Sequence, residues 1–151
     1  METTDSLWME DLAPGTVIAL PDIDCSAERI ARHAELFGAY HPINTSADNR
    51  FGRPIAHGPH PVAQALASLG NAIGTPLMAM DELGPWRFLS PAFVGDTLRA
   101  EAVVLERRPS RSAGEVTFGF RLTGSDGRVS QQGQARLIVR RRPQASHKER
   151  P

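Results

Sequence analysis

The sequence lacks three features that would each point to a particular class of protein. It has one cysteine, Cys25, so it can form neither an intrachain disulfide nor a metal site of several cysteines. Its 17 basic residues balance its 17 acidic residues, which excludes a global field that would attract nucleic acid or an anionic membrane. It has no apolar run long enough to span a membrane. We therefore expect no nucleic-acid partner and no membrane partner.

The N-terminal residues METTDSLWMEDL show no basic segment followed by an apolar run, so we expect no secretory signal. Together with the lone cysteine, this predicts a cytoplasmic protein. A length of 151 residues suits one domain with one sizeable core. We predict that this domain covers residues 1–141. Residues 142–151 are predicted to be a flexible polar tail, because they are polar and follow the end of the last predicted strand.

The most distinctive segment is Phe51–Ile73, FGRPIAHGPHPVAQALASLGNAI, in which a loop rich in glycine and proline leads into an apolar helix. A stripe of four apolar residues follows the helical period of 3.6: Val62, Leu66, Leu69 and Ile73. Alanines cover much of the remaining surface, so we expect this helix to be buried on nearly all sides. Its first N–H groups have no partner within the helix and could stabilise a developing negative charge.

The rest of the chain predicts a sheet and one further helix. The helix is expected at Ala27–Phe37, with Ser26 as its N-cap and Gly38 just past its end. Strands are expected at Thr16–Leu20, Pro85–Leu89, Thr97–Arg107, Glu115–Thr123 and Arg128–Arg141. The apolar run Thr75–Met80 does not distinguish strand from helix. One apolar helix and about five antiparallel strands predict an α+β domain whose sheet curls around the helix. Long strands leave an edge that a second copy can cover, so we expect a homodimer.

Three segments together resemble the MaoC-like hydratase/dehydratase family of the hotdog fold: FGAYHPIN, RPIAHG at the start of the central helix, and RFLSPAFVGDTL before the long strands. The resemblance covers residues 12–141. It implies a dimer and a site for acyl thioesters of coenzyme A or acyl carrier protein, and we expect no cofactor. The typical reaction of the family is the reversible addition of water to the double bond of a 2-enoyl thioester.

The family's chemistry needs an acid–base pair, usually the Asp and His of a segment G-D-x-(N/H)-P-(L/I/V)-H. It also needs an oxyanion hole, in which a backbone N–H at the helix start holds the thioester carbonyl. On this chain the motif's Asp falls on Ala39 and its His falls on Asn44. The resemblance therefore implies that both proton-transfer positions are changed, since alanine carries no proton and asparagine does not titrate. His57 and Gly58 stand where the family has them.

Several histidines are candidates for a replacement acid–base group. His41 is open between a structural residue of its loop and a substitute general base. His57 is open between fastening its loop to the sheet and catalysis, and His60 lies at the helix mouth, where it could accept a proton. We expect His33 to be a surface residue and Asp48 to be a solvated acid of the loop.

The predicted catalytic residues are His41, Asn44, His57 and His60, and the predicted substrate contacts are Ala39, Tyr40 and Gly58. No metal site is expected, because no carboxylate or thiolate completes the histidines at motif spacing. One function left open is an enzyme that acts on an acyl thioester or a related polyketide-like chain by hydration, dehydration, isomerisation or cyclisation. The other is a non-catalytic subunit that binds substrate or pairs with an intact family member. A hotdog thioesterase is disfavoured, because the central helix offers no carboxylate.

Overall fold

The structure is a computed structural model that describes residues 5–145. Its elements in chain order are β1 (Val17–Asp24), α1 (Ala27–Phe37), α2 (Pro42–Thr45), α3 (Pro59–Ile73), β2 (Leu77–Phe88), β3 (Thr97–Pro109), β4 (Ala113–Thr123) and β5 (Val129–Arg140). A single turn of 3-10 helix, Met9–Asp11, precedes β1. One helix-rich segment therefore separates β1 from the four later strands.

The five strands form one antiparallel sheet in the order β1-β3-β4-β5-β2. Helix α3 packs against the apolar face of this sheet and turns residues four apart toward it: Pro61, Ala65, Leu69 and Ile73. Opposite them, β4 contributes Val116, Phe118, Phe120 and Leu122, all buried. Burying a side chain of this size contributes roughly 1.5–3 kcal/mol. This packing confirms the α+β domain and holds the start of α3 fixed.

Helix α3 is less buried in the single chain than its composition predicted. Val62 and Leu66 are half-buried, and the side turned to solvent carries Ala63, Ala67 and Asn71. The physical reason is that one five-stranded sheet covers only part of the helix surface, while the small residues on the other side expose little apolar area. The prediction of burial on nearly all sides is therefore wrong for the chain alone.

The two edge strands are longer than predicted. Strand β1 does not end at Pro21, because its pairing with β3 resumes at Ile23 after an irregularity. Strand β2 joins the ambiguous run at Thr75–Met80 to the predicted strand at Pro85–Leu89, again with irregular pairing around Pro85. Proline lacks an N–H but is tolerated on an edge strand, where one side of the backbone has no ladder to complete. The prolines therefore interrupt the apolar sequence pattern of β1 and β2 without ending these strands.

Two further predictions concern membrane-spanning segments and the C-terminal tail, and the structure bears on them within residues 5–145. No helix in this range combines the length and the apolar character that crossing a bilayer requires. At the start of the predicted tail, the backbone N–H of Arg142 donates to the Glu10 carboxylate at 2.9 Å, and its guanidinium lies 2.8 Å from the Asp11 carboxylate. The rest of the predicted tail, residues 146–151, lies outside the described residues. The domain limit at residue 141 stays a prediction.

Candidate active site

The start of α3 borders a cavity of about 580 Å³. This size is within the range of small-molecule sites, which runs from about 300 to 1,000 Å³. The walls come from α1, from the segment after it and from the approach to α3, and they include His33, Phe37, Ala39, Asn44, His57 and Gly58. A groove of the same volume crosses the outer sheet face between Arg87, Glu101 and Arg121, and none of the histidines lines it. The cavity at α3 is the more apolar of the two and carries the predicted site residues.

The two ends of helix α1 are defined by a cap and a turn, and the turn leads the chain along the cavity. The Ser26 hydroxyl accepts a hydrogen bond from the Arg29 N–H at 3.4 Å, which caps the helix start as predicted. At the other end Gly38 adopts a left-handed conformation with φ of 63°, which glycine adopts without steric cost. The chain therefore turns sharply at Gly38, and the carbonyl of Ala39 comes close to His57.

His57 joins the segment after α1 to the start of α3. Its Nε2 lies 2.7 Å from the Ala39 carbonyl oxygen, and because a carbonyl can only accept, Nε2 carries the proton. Its Nδ1 is then an acceptor, and this atom is buried without a partner within the described residues. This bond fastens the start of α3 to the segment after α1, whereas the structural role predicted from the sequence was a tie to the sheet.

Short helix α2 holds Asn44 and His41 in different surroundings. The Asn44 side chain lines the cavity and donates from Nδ2 to the Ile55 carbonyl at 2.7 Å, so it ties α2 to the approach to α3. His41 is exposed and caps α2, with Nδ1 accepting from the Ile43 N–H at 3.2 Å. Tyr40 is 61% exposed. Neither His41 nor Tyr40 is among the residues that line the cavity.

His33 is not the surface residue that the sequence predicted. It is half-buried and lines the cavity, and its ring stacks on His57 with centroids 4.6 Å apart and planes 28° apart. Burial lowers the pKa of His33 below its ordinary value, and the neighbouring imidazoles of His57 and His60 lower it further. The overlooked signal was its position one turn from Ile30 and one turn from Phe37, which places it beside the apolar stripe of α1.

His60 faces the end of β1. Its Nε2 donates to the Asp24 carbonyl at 2.8 Å, and its ring meets the edge of the His33 ring with centroids 5.6 Å apart. It does not line the cavity. Within residues 5–145 no group of three His, Cys, Asp or Glu side chains is arranged to bind a metal ion.

Gly58 is the N-cap residue that precedes α3, and its backbone N–H is a free donor among the described residues. Pro59 and Pro61 have no N–H, and the His60 N–H donates to the His57 carbonyl at 3.1 Å. Within residues 5–145 the Gly58 N–H has no hydrogen-bond acceptor. A side chain here would also be crowded, since a Cβ would lie 3.0 Å from Cε1 of Phe88. The start of α3 thus offers one donor at the positive end of the helix dipole.

Two residues that sequence reasoning missed hold Gly58 in place. Gln131, 3% exposed, donates from Nε2 to the Gly58 carbonyl at 3.3 Å. Its Oε1 accepts from the Trp86 indole N–H at 3.0 Å. The available signal was strand alternation, because Gln131 is in phase with the buried Ala135, Leu137 and Val139 and so is a polar side chain at an inward position.

Comparison with known proteins finds relatives that match nearly the whole chain. No family model matches the sequence. The chain is 31% identical to mesaconyl-CoA hydratase of Cereibacter sphaeroides over 160 residues, a match that covers 97% of this chain. It spans about half of that relative, 45% of its length.

Solved structures give the same relation. The MaoC-like dehydratase of Rhodospirillum rubrum has a TM-score of 0.73 and 27% identity, over 92% of this chain and all of the other. A conserved hypothetical protein of Mycobacterium tuberculosis, described as a double hotdog fold, has a TM-score of 0.81 and 19% identity over 97% of this chain and 46% of that one. The latter identity shows the fold alone. Together these findings confirm the hotdog fold and show that this chain is similar, in sequence and in structure, to MaoC-like hydratases and dehydratases.

Proposed function

We propose that this chain hydrates or dehydrates acyl thioesters of the 2-enoyl and 3-hydroxyacyl type, with an acid–base set that differs from the usual one. The observation that carries the proposal is the Gly58 N–H, which has no acceptor in the described part of the chain and lies beside the cavity of about 580 Å³. A thioester carbonyl becomes enolate-like during this reaction, and its oxygen then needs a hydrogen-bond donor. One such donor in a preorganised site contributes roughly 10²- to 10³-fold to the rate.

The cavity suits the acyl part of such a substrate. Phe37, Ile43 and Ile55 supply apolar walls for a hydrocarbon chain, while Gly58 supplies the polar contact for the carbonyl. Coenzyme A is the carrier to test first, because the curated relative is named as a hydratase of a coenzyme A thioester. Isomerisation or cyclisation would pass through the same enolate and would use the same donor. A cytoplasmic location is part of this proposal.

Two observations favour a second candidate, a non-catalytic subunit. The motif positions Ala39 and Asn44 are both engaged in holding the loops, through the His57 bond at 2.7 Å and the Ile55 bond at 2.7 Å. The free edge strand β2 also exposes a row of large apolar side chains, Met78, Met80, Leu83 and Phe88. An exposed apolar edge strand favours pairing with another chain. The partner in this candidate is a second copy or an intact family member.

The test compares hydration of a short 2-enoyl-CoA by the native protein and by the double variant Ala39→Asp with Asn44→His. Turnover by the native protein supports the enzyme with a changed acid–base set. Turnover only in the double variant supports the non-catalytic subunit. Absence of turnover from both proteins, together with absence of enoyl-CoA binding in calorimetry, contradicts both candidates.

The association of the chain is tested separately. Sedimentation of the native protein is compared with that of Met80→Glu, which places a charge on the exposed edge, and with that of Leu36→Glu, which changes a residue of α1 that is 77% exposed. A dimer that is lost only in Met80→Glu supports association along β2. A monomer at all concentrations, or an equal effect of the two variants, contradicts it.

A further inference from the structure

We propose that His33, on α1, is the acid–base residue of this site and replaces the groups that Ala39 and Asn44 cannot supply. The inference rests on the proposed hydration of 2-enoyl thioesters and names the residue that moves the proton. It concerns a side chain outside the segment that aligns with the family motif.

The lining of the cavity leaves few alternatives. Only two of the lining residues carry a titratable side chain, His33 and His57. The proton of His57 is committed to the Ala39 carbonyl, and its other nitrogen is buried. Neither nitrogen of His33 has a hydrogen-bond partner among residues 5–145. His33 is therefore the lining group that can exchange a proton with a bound molecule.

His33 is held in orientation by packing instead of hydrogen bonds. Its ring contacts Phe37 with centroids 4.8 Å apart, stacks on His57 at 4.6 Å and meets His60 at 5.6 Å. The two histidines are themselves anchored, by bonds of 2.7 Å and 2.8 Å to the carbonyls of Ala39 and Asp24. This arrangement positions the imidazole by packing and leaves its nitrogens free among the described residues, so that one of them can bond a water, which a general base needs.

The charges around His33 favour its neutral, proton-accepting form. Burial and then the imidazoles of His57 and His60 hold its pKa below the ordinary value of 6.5. Asp24, whose carbonyl accepts from His60, has a carboxylate that accepts the Ser26 N–H at 2.8 Å and lies 3.6 Å from Arg29, so its charge is already engaged. No carboxylate lines the cavity among the described residues. Near neutral pH the ring is therefore available as a base.

The step uses one water and no other reactant. An imidazole nitrogen of His33 takes a proton from the water as the water oxygen bonds to C3 of the enoyl thioester. The π electrons of the C2–C3 double bond move toward the thioester carbonyl, whose oxygen takes the negative charge at the Gly58 N–H. The imidazolium then returns its proton to C2, the carbonyl forms again, and His33 is neutral once more.

The experiment measures hydration of a short 2-enoyl-CoA by native protein, His33→Gln and His33→Ala across pH 5 to 9. We expect losses of about 100-fold or more in both variants, because general acid–base catalysis contributes roughly 10²- to 10⁴-fold. The native rate falls as the pH drops through the pKa of His33, and the variants lack this limb. Added imidazole partly restores His33→Ala. Glu35→Gln, a change at an exposed residue of the same helix, keeps the native rate and profile.

The outcomes separate this inference from the proposed function. Native turnover with an unchanged rate and pH profile in both His33 variants overturns the role of His33 and leaves hydration standing. Native protein without turnover overturns both. A second outcome also overturns the inference: the variants lose affinity for enoyl-CoA by as large a factor as they lose rate, and added imidazole does not restore the rate. This would indicate a structural role for His33. Enoyl-CoA affinity within a few-fold of native in slow His33→Gln supports it.

Discussion

Replacement of Gln131 by leucine tests how the start of α3 is held. The two side chains have similar volumes, so the change removes hydrogen bonds without opening a large void. Trp86 loses the acceptor of its indole N–H at 3.0 Å, and the Gly58 carbonyl loses a weaker donor at 3.3 Å. A buried polar group left without a partner costs about 1–3 kcal/mol. Because the longer bond adds little, we expect the free energy of unfolding to fall by about 1–3 kcal/mol.

The assay is urea unfolding followed by far-ultraviolet circular dichroism, with all proteins at one concentration because association would add to the apparent stability. The matched control is Gln132→Leu, the same substitution at the neighbouring exposed residue, which should change stability by less than about 0.5 kcal/mol. Equal effects of the two variants, or a loss below about 0.5 kcal/mol for Gln131→Leu, would refute the reasoning. Enoyl-CoA affinity should weaken only in Gln131→Leu, since that residue positions Gly58.

Three further predictions concern the core and the titrating groups. Leu69→Ala removes a fully buried side chain of α3 and should cost about 2–5 kcal/mol in urea unfolding, against less than about 0.5 kcal/mol for the exposed Leu36→Ala. Burial raises the pKa of Cys25 to about 12, so iodoacetamide should alkylate native protein far more slowly than urea-unfolded protein, as followed by mass spectrometry. The lowered pKa of His33 means that the unfolded chain binds a proton more readily near pH 6.5, so the melting temperature should fall from pH 7.5 to 5.5, and less steeply in His33→Gln. An equal slope in native protein and His33→Gln would contradict the last prediction.

Local signals were sufficient for most of the fold. The bounds of α1 follow from Ser26 and Gly38, because capping depends on residues adjacent to the helix. The alternation of apolar and polar residues in β4 and β5 predicted their buried faces, because each strand has one face turned to the core and one turned to solvent. Strand β2 shows no alternation of apolar and polar residues, since it lies at the edge of the sheet and most of its residues are exposed. The length of β2 depends on its pairing with β5, and the periodicity of the sequence carries no information about that pairing.

The site was predictable where a motif marks it and not where distant segments meet. His57 and Gly58, in the segment RPIAHG, border the cavity. His33 joined them through a ring contact between α1 and the approach to α3, and such a contact depends on how two elements cross. Gln131 reaches Gly58 from the last strand in the same way. His41 lies inside the aligned motif segment, yet as the cap of α2 it is exposed to solvent.

The central claim is that the start of α3 binds and activates an enoyl thioester at Gly58. The most direct measurement is the initial rate of hydration of a short 2-enoyl-CoA by the native protein, followed by loss of the enoyl-thioester absorbance. The account predicts turnover that saturates with substrate and falls by about 100-fold or more in His33→Gln. A native rate no greater than that of buffer alone, under conditions where the protein is folded, would contradict it.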